Sequence, residues 1–126
     1  MSFESGHSES FEIIASSIPL PKLVAIIKQA PSSIRESAKL LRHTQLLCVN
    51  ILVKKPNLTP YHWFYIYDKE IQASRVSIPS NLAPHSVPPD TTTIQAEIFY
   101  RNDETIDSVA ACEQTVRDMS KILKFN

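Results

Sequence analysis

The sequence predicts an α+β domain: an antiparallel sheet of about four to five strands covered on one face by helices. Three observations carry this. Four stretches have the length and residue types of strands: Thr44–Val53, His62–Tyr67, Ser74–Ile78 and Thr93–Tyr100. Segments with apolar residues at helical spacing lie on either side of them in the chain. The resulting order is strand, two helices, about four strands, helix, with no internal repeat.

Each element has a local reason. Met1–Ser10 is polar, holds the chain's one glycine, Gly6, and is expected to be mobile, leaving residues 11–126 as a single domain. Phe11–Ser17 (FEIIASS) reads as a strand. Pro21 suits a helix first turn, and Leu23, Val24, Ile26 and Ile27 form the apolar side of a short helix that ends by Pro31. Ser33 and Glu36 have the spacing of a capping box for a second helix, Ser33–Arg42. In that helix Ile34, Ala38 and Leu41 face the core, and Arg35, Lys39 and Arg42 face water. Thr44–Val53 is apolar on both faces and reads as a central strand interrupted only by Asn50.

Lys54–Pro60 is a turn, and Pro79–Thr91, with four prolines and no periodicity, is a stiff surface loop. In the final strand Ile94, Ala96, Ile98 and Tyr100 face one way and Gln95, Glu97, Phe99 and Arg101 the other. Asn102 or Asp103 is expected to cap a helix from about Glu104 to Leu123. Its buried stripe is read as Ile106, Val109, Cys112, Val116, Met119 and Leu123.

Composition excludes several functions. Thirteen basic residues balance thirteen acidic ones in 126, so no general attraction to nucleic acid or anionic membrane is expected. No apolar run approaches the length of a membrane span, and the first dozen residues do not read as a signal peptide. Cys48 and Cys112 read as buried structural thiols, which fits a reducing, cytoplasmic setting. A single glycine cannot build the Gly-rich turn of a dinucleotide site or a P-loop, so neither flavin nor nucleotide is expected to be held by those routes. His7, His43, His62 and His85 lack metal-ligand spacing, and no catalytic residue stands out. Most acids sit in turns or at helix starts. Glu97, on its strand, is a candidate general acid or base as well as a structural residue.

The aromatic stretch offers more. In Tyr61–Tyr67 the rings of Trp63, Tyr65 and Tyr67 share one face, with Phe64 and Ile66 on the other. After the charged turn Asp68-Lys69-Glu70, Val76 and Ile78 share a face and Arg75 points away from them. On residue types alone, Tyr65 packs in the sheet and Arg75 makes a surface ion pair, or both line a binding wall.

These residues also resemble a known family. Trp63 to Asp68, Glu70, Arg75 ten residues after Tyr65, and Pro79-Ser80-Asn81 are similar to a motif of roughly WIYFPE-x-D-x-PFYR-x-x-FPSN. It belongs to the middle domain of a flavoprotein family. That family joins the protoporphyrinogen-oxidase-like and amine-oxidase-like proteins with the UDP-galactopyranose mutases. Ser17–Pro21, Leu46–Val49 and Ile94–Glu97 agree in the same order, so the resemblance covers about Ile13 to Arg101. Tyr67 replaces the family's proline, and Gln72-Ala73-Ser74 replaces its Pro-Phe-Tyr.

The resemblance implies a substrate-binding (cap) domain of an FAD-dependent oxidoreductase-like or mutase-like protein, with no redox chemistry of its own. FAD would belong to the parent, and a flavin-binding domain, a small-molecule substrate and a second copy in a homodimer would be its partners. Tyr65 and Arg75 would line the substrate cavity, with Arg75 meeting a diphosphate in the mutase branch, and Asn81 and Trp63 would be weaker contributors. The other reading is a stand-alone binding module that kept the fold without the flavin.

Overall fold

Ten uncharged residues, Thr44–Val53, form strand β1 and pair antiparallel along their full length with β4, Thr92–Arg101, from Thr44↔Arg101 to Val53↔Thr92. The structure, a computed structural model, describes residues 1–126. In the chain, β2 (Trp63–Tyr65) and β3 (Arg75–Ser77) come between these long strands, but in the sheet they lie beyond β4: the order is β1-β4-β3-β2, all antiparallel. With its helices the chain is an α+β protein.

Alternation decides the core. Opposed residues in an antiparallel pair point to the same face. Val49, Val53, Val76, Ile94, Ala96 and Ile98 therefore collect on one face and are buried, with Ile78 beside them. Helix α4, Ser108–Leu123, closes that face with Ala111 and Met119, and Phe125 follows it into the same cluster. The opposite face carries Leu46, Leu52, Trp63, Tyr65 and Phe99, each about half exposed.

The contact pattern divides the chain into two compact units, Met1–Leu41 and Arg42–Asn126. In the first, residues 1–10 form a loop closed by a Ser2–Ser8 bridge, with Gly6 at a φ of 82° that suits glycine. Phe11–Ser17 is not a strand; it runs exposed, without pairing. Helices α1 (Leu20–Ile26) and α2 (Ser32–Lys39) follow and pack on each other. The capping box does not form. Pro31 occupies the N-cap of α2 without a side-chain bond, and Glu36 instead pairs with Lys39 at 2.7 Å.

Ile34 and Leu41 are exposed, and only Ala38 of the expected apolar face is buried. Arg35 is half-buried instead of extending freely into water. Its guanidinium donates to the carbonyls of Ile27 at 2.6 Å, Ala30 at 3.2 Å, and Ala25 and Lys28 at 3.3 Å. It satisfies the carbonyls that the C-terminal end of α1 and the following turn leave without helical partners.

In the second unit β2 and β3 are shorter than their hydrophobic stretches. The Ile66 N–H still reaches Ser74 O and Ile78 N–H reaches His62 O, but the pairing is no longer regular. Pro79–Thr91 is not structureless. It contains the short helix α3, Pro79–Leu82, and a single 3₁₀ turn, Pro84–Ser86, as proline at a helix first turn permits.

The last helix starts four residues later than its acidic cluster suggests. Asn102 accepts from the His43 N–H, Asp103 pairs with Arg101 at 2.9 Å, and Glu104 accepts from the Arg101 N–H, so these residues tie the strand end instead of capping α4. Arg101, mainly through its hydrogen bond, holds the Asp103 carboxyl below its usual pKa. Asp107 is the cap, accepting from the N–H groups of Val109 and Ala110 at 3.0 and 3.1 Å. Asp107→Ala is expected to cost about 0.5–2 kcal/mol, the usual range for a lost N-cap, measurable by urea denaturation. No helix is long and apolar enough to cross a membrane.

Candidate functional site

Three of the four predicted binding residues meet on the open face. Tyr65 pairs with Arg75 across β2 and β3, Arg75 pairs with Glu97 across β3 and β4, and Glu97 pairs with Cys48 on β1. One row of side chains, Tyr65, Arg75, Glu97 and Cys48, thus crosses the whole sheet. The next row places Trp63 beside Ser77, followed by Gln95 and Asn50, whose amides bond at 3.1 Å. Trp63 meets Tyr65 edge-on at 5.5 Å, and Tyr67 tilts against Tyr65 at 6.2 Å. Alternation along β2 dictates this stripe, because Phe64 and Ile66 must turn the other way into the core.

Glu97 is the neighbour that the sequence does not single out as Arg75's partner. It is 4% exposed although it lies on the open face. Arg75 covers it: Nη2 donates to Oε1 at 2.8 Å and sits 2.6 Å from Oε2. Arg75 is itself part-exposed, and its Cζ stands 5.9 Å from the centre of the Phe99 ring, in cation–π range. The Glu97 carboxylate raises the pKa of Arg75 above its ordinary value, first by hydrogen bonding. Burial opposes this, and the Tyr65 hydroxyl adds to it. Arg75 Nε is buried without a hydrogen-bond partner, and Glu97 Oε2 is met by Arg75 only through the 2.6 Å ion-pair contact.

This geometry fixes what the row can do. The guanidinium has five donors in a planar fork, and Glu97 engages one of them. Remaining donors could take a planar or tetrahedral oxyanion, with Trp63 and Tyr65 offering ring faces and edges alongside. Glu97 orients the fork and also neutralises its charge, so an anion gains less here than at a lone arginine. The Cys48 thiol is pushed above its usual pKa by burial first and by Glu97 second, which keeps it protonated and poorly nucleophilic.

Asn81 lies apart. On α3 its amide donates to the carbonyls of Thr59 and Tyr61, both at 2.9 Å. It borders a shallow cleft of about 510 Å³ with Asn57, Thr59, Pro60, His62, Ser80 and Pro84. None of the five main clefts is lined by Arg75 or Tyr65, which stand on the open sheet face. No group of three or more His, Cys, Asp or Glu side chains is arranged to hold a metal ion.

No protein-family profile matches the sequence, and no curated protein matches it. The fold does have a counterpart among solved structures. The crystal structure of reduced UDP-galactopyranose mutase superposes with a TM-score of 0.78 and 17% identity, covering 95% of this chain and 27% of that one. The likeness is one of fold, and this chain corresponds to a segment of the much longer mutase.

Proposed function

We propose that this chain is a substrate-binding (cap) domain of an FAD-dependent, oxidoreductase-like or mutase-like protein. It supplies a cavity wall and specificity, while FAD belongs to a flavin-binding domain outside these residues. The observation that carries the reading is the Trp63–Tyr65–Arg75 grouping on the open sheet face of a fold shared with a UDP-galactopyranose mutase segment. Arg75 is read as the anion-binding group, Tyr65 and Trp63 as the walls beside it, and Asn81 as a residue that shapes the adjoining loop. With one glycine, the chain has no dinucleotide turn of its own, so FAD should produce no saturable change in flavin fluorescence on titration. Tight stoichiometric flavin binding would overturn that part.

Substrate binding is tested through Trp63, the only tryptophan. Titration with UDP-galactopyranose is expected to quench its emission saturably. Arg75→Ala should weaken the apparent affinity about ten- to a hundredfold, the range for a hydrogen bond to a charged group. Arg75→Lys should recover only part, since an ammonium cannot reproduce the fork. Quenching that is linear, or equal in all three proteins, would leave the other reading, a binding module that kept the fold without the flavin partnership.

A further inference from the structure

Strand β1 has a free edge. The sheet order puts β1 at one end, bonded only to β4. No backbone group outside that ladder hydrogen-bonds to residues 44–53. Alternate residues of a paired strand turn their N–H and C=O outward, so about five of each face away from the sheet. Proteins normally blunt such an edge with charges, proline, a bulge or a short strand. This edge has none of these: it is ten residues long, regular in register, and carries no charge or proline from Thr44 to Val53.

We propose that the β1 edge is a self-association surface, on which a second copy of this chain pairs antiparallel about a two-fold axis passing beside Val49. The argument is the strand's symmetry about that residue. In such a pairing each residue faces the one equally distant from Val49 on the partner copy, and both faces of the sheet must match. They match from Leu46 to Leu52, and the mismatch of Gln45 with Val53 is confined to the ends of the strand. On the helix-covered face Leu47 meets Ile51 of the second copy, with Val49 meeting itself between them. On the open face Cys48 meets Asn50, and Leu46 meets Leu52.

The last pair explains an oddity of the single chain. Leu46 and Leu52 are 47% and 55% exposed, two large aliphatic side chains on the outermost strand with nothing to cover them. Two-fold pairing turns them into two leucine–leucine cross-strand contacts. The flanking Lys54 and Lys55 fall opposite Thr44 and His43, so no like-charged lysines oppose each other. An axis beside Cys48 would instead set Leu46 against Asn50 and Gln45 against Ile51, losing the match on both faces. The joined sheet has eight strands, twice the four of one chain.

Analytical ultracentrifugation across the micromolar range tests this, with far-UV circular dichroism to check folding. The wild-type chain is expected to sediment as a dimer. A double variant, Leu46→Lys with Leu52→Lys, changes two solvent-exposed positions and opposes like charges twice across the axis. It is expected to be folded and monomeric. Leu46→Lys with Leu52→Glu opposes unlike charges at the same places and is expected to restore the dimer. A wild-type monomer would overturn the proposal. So would a dimer that persists in the two-lysine variant, or two charge arrangements that associate equally, since either outcome places the contact elsewhere or in another register.

Discussion

Met119→Asp is expected to abolish cooperative folding, whereas Val116→Asp, one turn earlier on the same helix, should leave the chain folded. Met119 is fully buried among the sheet residues, and Val116 is 41% exposed. An unpaired carboxylate in the core costs several kcal/mol, comparable to the roughly 5–15 kcal/mol that holds a domain together. At Val116 the new carboxylate stays hydrated, and a change within about 1 kcal/mol is expected. Thermal melts followed at 222 nm separate the two, and equal effects would mean α4 is rotated about its axis.

A second large effect is expected from Arg75→Ala, this time on stability. Reading Arg75 as a surface side chain implies almost no loss. The structure makes it both the partner and the cover of a carboxylate that is 4% exposed, so its removal takes away the counter-charge of Glu97 and opens that carboxylate to water. A pair that is open to water on the arginine side costs less to break than a fully buried one, and the melting temperature is expected to fall by about 3–8 °C. Adding Glu97→Leu to Arg75→Ala should restore most of the loss, because a well-packed apolar side chain needs no partner. If the double variant melts no higher than Arg75→Ala alone, the ion pair is not what the arginine contributes. The double variant also separates binding from folding: it should regain stability and still fail to bind UDP-galactopyranose.

The sheet was legible because its signals are local and redundant. Thr44–Val53 was read with both boundaries correct, and the facing of Val76, Ile78, Ile94, Ala96 and Ile98 followed from alternation alone. Helix faces were less legible. The expected stripe of α4 is right at Met119 but wrong at Val109 and Val116, which are exposed; Ala111, Thr115 and Asp118 are buried instead, and the small side chains of Ala111 and Thr115 let the helix approach the sheet. Thr115 is made compatible with burial by donating its hydroxyl to Ala111 O. Nothing in the spacing ranks Asp107 above Asn102 or Asp103 as the cap, and only the fold shows that His43 and Arg101 occupy those two and Glu104.

At the site, the grouping of Trp63, Tyr65 and Arg75 was readable from period two plus one turn. The Glu97 partnership was not, because it depends on β3 docking beside β4 rather than on any spacing along the chain. The separate position of Asn81 was equally hidden, since a four-residue helix turns its amide back to the 59–61 loop.

The Arg35 clamp gives the two units different responses to acid. Acidification through the lowered pKa of Asp103 removes the carboxylate that Arg101 relies on, and with it the charge in that contact. Arg35 has only carbonyl oxygens as acceptors, and neither a guanidinium nor a peptide carbonyl titrates in that range. The turn between α1 and α2 is therefore held by a contact that protons do not compete for, and its hold on acidification is a matter of dipoles rather than ion pairing.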